Sequence, residues 1–359
     1  DISRNDDGFN INIGMEYFLT EKSSITGSFF YRWSDENDLN ENDNQRFVDG
    51  SINSRTFRTE DQAEKDNSRQ FSFNYTNNID DDGQKLTADF QYSYDNEDVL
   101  TGIREDRTIP SDSLIALENI YEKQKQDDIL AQIDYVLPMG DAQFEAGYRG
   151  NFEKEVNDYQ LDTLNQGTGN FVTNEELTNI FTYHENVNAL YTQYGNKYGR
   201  FSVLLGLRLE NTEMRGEVDA TIDTEALQEL VGEDVDLNFD KDYLGLFPTL
   251  NFVYEISETK NISLGYNRRI NRPRGWFINP FPSRSSRTNV FQGNPDLDPA
   301  FANAFDLGYM KRWKKLTFTS SVYYQRETQS FEFITENTGQ FTSDGIQIIR
   351  RVPINLSTN

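Results

Sequence analysis

The chain has 359 residues, 36% hydrophobic and 13% aromatic, with a net charge of −26 and no cysteine. The charge excludes a nucleic-acid partner, because nothing here could neutralise phosphates over a continuous patch. The missing cysteines exclude disulfides, thiolate metal sites and cysteine catalysis together. No run of about eighteen apolar residues exists, so no helix is expected to cross a membrane; barrel strands would leave no such run, because lipid-facing and lumen-facing residues alternate.

Alternation is the dominant pattern from the start. Phe9, Ile11, Ile13, Met15 and Tyr17 face one way, and a second strand follows at once through Ile25, Phe29, Tyr31 and Trp33. A long gap, Asp35 to Asn67, precedes Phe71, Phe73 and Tyr75. Asp80-Asp81-Asp82-Gly83 then suits a tight hairpin into Leu86, Ala88, Phe90, Tyr92 and Tyr94. The same unit repeats. Long loops are expected at Asn96–Asp127, Glu153–Thr182 and Gly216–Asp242, and short turns at Met139–Asp141, Gly195–Gly199, Ser257–Lys260 and Arg312–Lys315. Between them run Ile129–Leu137, Phe144–Tyr148, Val187–Tyr191, Phe201–Leu209, Leu250–Tyr254, Ile262–Tyr266, Phe305–Tyr309 and Leu316–Tyr324, with a last strand from near Ile346. Two helices are expected inside the long loops, Ser111–Gln126 and Thr224–Val231.

Short and long connections alternate down the whole chain, which puts every long loop at one end. A soluble sandwich has no reason to do so; an outer-membrane barrel has. The expected fold is all-β: a transmembrane antiparallel β-barrel wall of about twelve strands with short periplasmic turns and long extracellular loops. Tyr94, Tyr135, Tyr148, Tyr254 and Tyr309, near strand ends, read as aromatic girdle residues. An open wall would leave two unpaired edges in lipid, so residues 1–359 are expected to be the middle portion of a larger barrel.

The stretch Tyr266–Tyr309 organises the chain. It holds Arg268-Arg269-Ile270-x-Arg272-Pro273, then Asn279-Pro280-Phe281, then Gly293-Asn294-Pro295-x-Leu297-x-Pro299, ahead of a Gly-aromatic strand end at Gly308-Tyr309. Pro273, Pro280, Pro282, Pro295 and Pro299 are expected to forbid a regular ladder between the strands on either side. In these forty-odd residues the sequence resembles the TonB-dependent receptors, and among them the outer-membrane β-barrel family of Bacteroidota. The resemblance implies a barrel of about 22 strands filled by an N-terminal plug. It also implies import of a scarce solute such as a siderophore, peptide or oligosaccharide, driven by the TonB-ExbB-ExbD motor through a segment outside this sequence. Outer-membrane lipids and a surface lipoprotein are the further partners it suggests; the alternative is a structural subunit of a larger outer-membrane assembly.

The motif residues Arg272, Pro273, Asn279, Pro280, Gly293, Asn294, Pro295 and Pro299 are read as structural, with the motif arginines paired to neighbouring carboxylates. Arg284 and Arg287 lie outside the motif in a very acidic chain, and guanidinium forks suit anionic ligands. With Trp276 they form the candidate ligand-binding set at the mouth. Asp234, Asp236, Asn238, Asp240 and Asp242 alternate along an extended segment and offer oxygens to a hard cation such as Ca²⁺, although the twelve-residue loop pattern with its central glycine is absent. No other cofactor is expected. Catalysis has little to work with: His184 beside Glu185 is the only histidine, and a solvated loop histidine is the ordinary role for such a residue.

Overall fold

The computed structural model describes residues 2–232, 235–286, 288–342 and 345–356. Six long strands come first: β1 (Ile2–Phe18), β2 (Ser23–Val48), β3 (Ser51–Asn78), β4 (Lys85–Ile109), β5 (Ser113–Met139) and β6 (Ala142–Asn165). A short β7 (Asn170–Thr173) turns back along β6, and a single 3-10 turn leads into β8 (Asn179–Tyr198) and β9 (Phe201–Ala220). Helix α1 (Thr224–Val231) precedes β10 (Asn238–Ser257) and β11 (Lys260–Asn271). Then come α2 (Gly275–Ile278), β12 (Ser283–Ser286), β13 (Asn289–Phe291), β14 (Ala300–Arg312), β15 (Thr317–Thr328), β16 (Ser330–Phe341) and β17 (Gln347–Leu356).

Twelve strands, β1–β6, β8–β11, β14 and β15, follow one another in a single antiparallel sheet, with β7 as a thirteenth beside β6. Each pairs with its chain neighbour, as tight turns between successive strands require. The short turns lie where the sequence puts them, except that Gly195–Tyr198 belong to β8 and the turn there is Gly199-Arg200. The register lines up the apolar positions from strand to strand: Ile13, Phe29, Phe71, Tyr92 and Ile129 form one cross-strand row. Leu205, Leu250, Tyr266, Phe305 and Tyr324 form another. Most of these side chains are exposed, from Ile129 at 38% to Ile13 at 64%, and the rest are half-buried. In β10 the apolar run from Leu244 to Tyr254 covers roughly 28 Å at a barrel tilt, close to the height of a hydrocarbon core. Tyr94 lies at the upper rim of this band and Tyr135, Tyr254 and Tyr309 near the short turns, as girdle residues should. Tyr148 does not: it stands mid-band beside Ile133 and Leu190 and donates a hydrogen bond to Asn188 at 2.7 Å.

The expected long loops are too long for one reason; parts of Glu153–Thr182 and Gly216–Asp242 also belong to β6–β10. Asp35–Asn67 and Asn96–Asp127 are not loops but the upper halves of β2–β3 and β4–β5, laddered up to turns at Asp49-Gly50 and Pro110–Asp112. The predicted helix Ser111–Gln126 is, from Ser113 on, the upper part of β5, paired to β4 on one side and from Glu118 to β6 on the other. Its apolar residues fit helical spacing, but Ala116, Glu118 and Ile120 alternate inward and bury against the lumen side. A helix there would leave the tall edges of β4 and β6 without hydrogen-bond partners. The Thr224–Val231 helix does form. Asp223 caps it by accepting the Ala226 N–H at 2.9 Å, and Gly232 ends it at φ 120.

The proline-rich stretch also needs correction. β11 and β14 pair in a regular ladder from Lys260↔Lys311 to Asn271↔Ala300. The prolines act only on residues 272–299, which leave the wall as an excursion and fold over its inner face. There β12 and β13 join β17 and β16 in a second, four-stranded sheet, with β13 parallel to β17. The last strand expected near Ile346 therefore belongs to this inner sheet and not to the wall. Ile278 and Leu297 of the excursion pack with Phe181, Tyr183, Met214 and Phe239 of β8–β10 in the main buried cluster. α1 packs beside it, with Leu227, Val231, Leu237 and Phe281 as a second cluster.

Candidate functional site

The motif residues form the knot that holds the excursion closed. The Gly293 N–H donates to Asn279 O at 2.8 Å and the Asn294 N–H to Phe277 O at 2.7 Å. A Cβ on Gly293 would lie 2.4 Å from Asn279 O and 2.7 Å from both Asn279 N and Phe277 O, so only glycine fits between these backbones. Side chains complete the turn: Asn279 accepts the Phe281 N–H at 3.0 Å and Asn294 accepts the Asp296 N–H at 2.9 Å. Asn294 also donates to Pro353 O at 3.2 Å, tying the excursion to β17. Asn355 of β17 accepts the Asp298 N–H at 2.8 Å and donates to Asp298 O and Gln329 O. Pro273, Pro280 and Pro295 are fully buried, and Pro299 is buried just before β14 resumes the wall. Proline serves here because it brings no donor that would need a partner.

Two arginines anchor the excursion to the wall. Arg272 pairs with Glu210 on β9 and donates to Thr212 at 3.1 and 3.3 Å. Arg208 pairs with the same Glu210 at 2.6 Å. Arg284 pairs with Glu118 on β5 at 2.9 Å, and both side chains are largely buried. Arg284 is thus a structural clamp as well as a cavity residue, a role its position outside the motif does not suggest. Arg287 lies outside the described residues.

Between the excursion and the inner faces of β3–β6 lies a cavity of about 370 Å³. Trp276 and Arg284 both line it, together with Phe281 and Phe291 from the excursion. Trp276 is half-exposed, with its ring 4.2 Å from Phe277 edge-on and 5.1 Å from Phe291. The wall supplies Glu97, Glu122, Asn157 and Tyr159. Burial and the nearby Glu64, Asp66 and Glu122 push the Glu97 carboxyl up to about 7. Burial also raises the Tyr159 phenol to about 12. Both stand above the apolar band, which in β4 ends at Tyr94. Nothing in the sequence marks these wall residues as a group, because they come from strands that meet only through register.

The proposed calcium ligands do not converge. Asp234 lies outside the described residues. Asp236, Asn238, Asp240 and Asp242 are all exposed, and the last three run along the outer face of β10, where alternate residues stand about 7 Å apart. A Ca²⁺ ion needs oxygens at about 2.3–2.6 Å, so one extended strand cannot wrap it. Among the described residues, the carboxylates that do meet are Glu64, Asp66 and Glu97. His184 lies between Lys154 and Arg215 on the outer face of β8, away from the lumen.

Among solved structures the chain is similar to the ferric preacinetobactin receptor of Acinetobacter baumannii, at 9% identity and a TM-score of 0.45, over 97% of this chain and 56% of the receptor. It is similar to the ferric-catecholate import receptor of E. coli K12 in its closed form, at 10% identity and a TM-score of 0.48, over 98% and 60%. It is also similar to a siderophore receptor of Pseudomonas aeruginosa, at 11% identity and a TM-score of 0.44, over 99% and 60%. The chain therefore spans little more than half the length of these proteins. No curated protein sequence matches it. The chain's residues 77–359 match the model of the outer membrane protein beta-barrel family, and the chain, with its apolar band turned to outer-membrane lipid, belongs to that family.

Proposed function

We propose that this chain is part of the barrel wall of a TonB-dependent receptor that imports a scarce solute across the outer membrane, of the kind found in Bacteroidota. The observation that carries this reading is the clamped excursion. A wall strand pair sends 28 residues back over its own inner face, where ion pairs and a backbone knot hold them against a cavity lined by aromatic and charged groups. A passive pore would have no use for so costly a structure in its lumen. On this reading the tall hairpins above the band are extracellular, and further strands close the wall at β1 and β15. A plug fills the lumen, and the TonB-ExbB-ExbD motor pulls on it. A surface lipoprotein could sit on the hairpins, because Phe47, Val48 and Ile52 are exposed at the β2–β3 tip. The alternative of an assembly subunit draws on the same exposed tip. Import of labelled solute by cells carrying the protein is expected to stop when the proton-motive force is dissipated, with the barrel still folded. Import that continues unchanged would overturn the receptor reading.

A further inference from the structure

The floor of the cavity is charged at both ends and partly apolar between. At one end, Glu97 and Glu122 stand with Glu64 and Asp66 close by, and among the described residues none of these four takes part in an ion pair. Asn157 donates to Glu122 at 3.0 Å, which leaves its own carbonyl oxygen buried with no hydrogen bond. This end is rich in oxygen acceptors. Between the ends, Val99, Ile103 and Ile120 lie below and Trp276 and Phe291 above, interrupted by Gln62 and Thr101. At the far end is Arg58, 7% exposed. Its Nε donates to Glu60 at 2.6 Å, while its Nη1 has no hydrogen-bond partner and lies 3.9 Å from Glu105. A buried guanidinium N–H without a partner is a costly feature unless something else completes it.

Register sets the distance between the two ends. Asp66 faces Glu97 and Arg58 faces Glu105 across β3–β4. Eight residues of strand span about 26 Å. An extended chain of about five residues covers about 17 Å, and the Arg58 side chain with a hydrogen bond at each end of the peptide spans the rest.

We propose that this cavity binds a short, apolar-rich peptide in extended form, its ammonium group among Glu97, Glu122 and Asn157 and its carboxylate on Arg58. The inference rests on the receptor reading and names the substrate class for it. Carboxylates without cations attract an ammonium, and three acceptors match its three donors. The apolar residues between the ends take side chains, and the ring of Trp276 offers a face for stacking or for a cation.

The test uses the full-length protein extracted from the outer membrane in mild detergent. The probe is a five-residue peptide of alanine and leucine, offered with free ends, with an acetylated amino end, or with an amidated carboxyl end. Calorimetry is expected to show each block weakening Kd at least tenfold. In a Glu97→Gln/Glu122→Gln variant, acetylation should no longer matter while amidation still does. Because Arg58 is buried and paired, its end is tested by amidation and needs no substitution. Equal binding of free and blocked peptides, binding of a neutral oligosaccharide in their place, or no binding of the free peptide overturns the inference. The measurement needs no motor, so its failure leaves motor-driven import standing, whereas import insensitive to the proton-motive force sinks the receptor reading whatever the peptides do.

Discussion

Gly293→Ala tests whether the motif is a steric knot. The new methyl would sit 2.4–2.7 Å from three backbone atoms of Phe277 and Asn279. An ordinary contact is about 3.5 Å, so one backbone must retreat by about 1 Å. Both hydrogen bonds that close the knot, at 2.8 and 2.7 Å, would be lost. Each contributes about 1 kcal/mol net, and the strain of overpacking adds about 1–3 kcal/mol. The expected loss is therefore about 3–5 kcal/mol, confined to the excursion, because the wall ladder does not depend on it. Trp276 reports this directly once Trp33 and Trp313 are replaced by phenylalanine. In a urea titration its emission change should come at a clearly lower midpoint, while the gel mobility of the unheated barrel stays unchanged. Gly245→Ala is the control: its Cβ would meet only the Phe247 ring at 2.5 and 2.6 Å, and a ring can swing aside. Equal midpoints for the two variants would refute the argument that rigid backbone, and not general crowding, demands glycine at 293.

Three further outcomes are expected. Glu118→Gln leaves the buried Arg284 without its countercharge and should cost the excursion about 3 kcal/mol; adding Arg284→Met should restore most of that, and a double variant no better than the single would show that the pair does not clamp. The Glu97 carboxyl, raised to about 7, holds a proton in the folded state that the unfolded chain has already released. Stability should therefore fall as pH rises from about 4.5 to 7, by about 1–2 kcal/mol after allowing for its partial exposure. Glu97→Gln should flatten that slope when the Trp276 midpoint is measured across pH, and an unchanged slope would contradict it. Leu264→Arg places a cation in the lipid band and should cost about 2–4 kcal/mol in vesicle refolding. Asn251→Arg, on the opposite lumen face, should cost far less; equal penalties would mean the faces are wrongly assigned.

The amino-acid sequence by itself determined the wall. Period-two alternation, short turns at Asp80–Gly83 and Ser257–Lys260, and the apolar positions of each strand, such as Leu205, Leu207 and Leu209, are local signals, and strand geometry turns them into a two-faced sheet without help from distant residues. The α1 helix was equally legible, because Asp223 and Gly232 mark its ends. The motif announced that Gly293, Asn279 and Asn294 matter, but only the folded chain shows why: they meet across a backbone contact between residues well separated in sequence. The tall upper strands were hidden because, above the lipid, β2 and β3 are mostly polar on both faces and the apolar residues of upper β5 mimic helical spacing; pairing with neighbours, not hydrophobic pattern, keeps them extended. In the same way Arg284 read as a free cation until Glu118 appeared opposite it. The cavity belongs wholly to the tertiary structure, since β3–β6 place their carboxylates and Arg58 together through register, and register is a property of paired strands that no single segment carries.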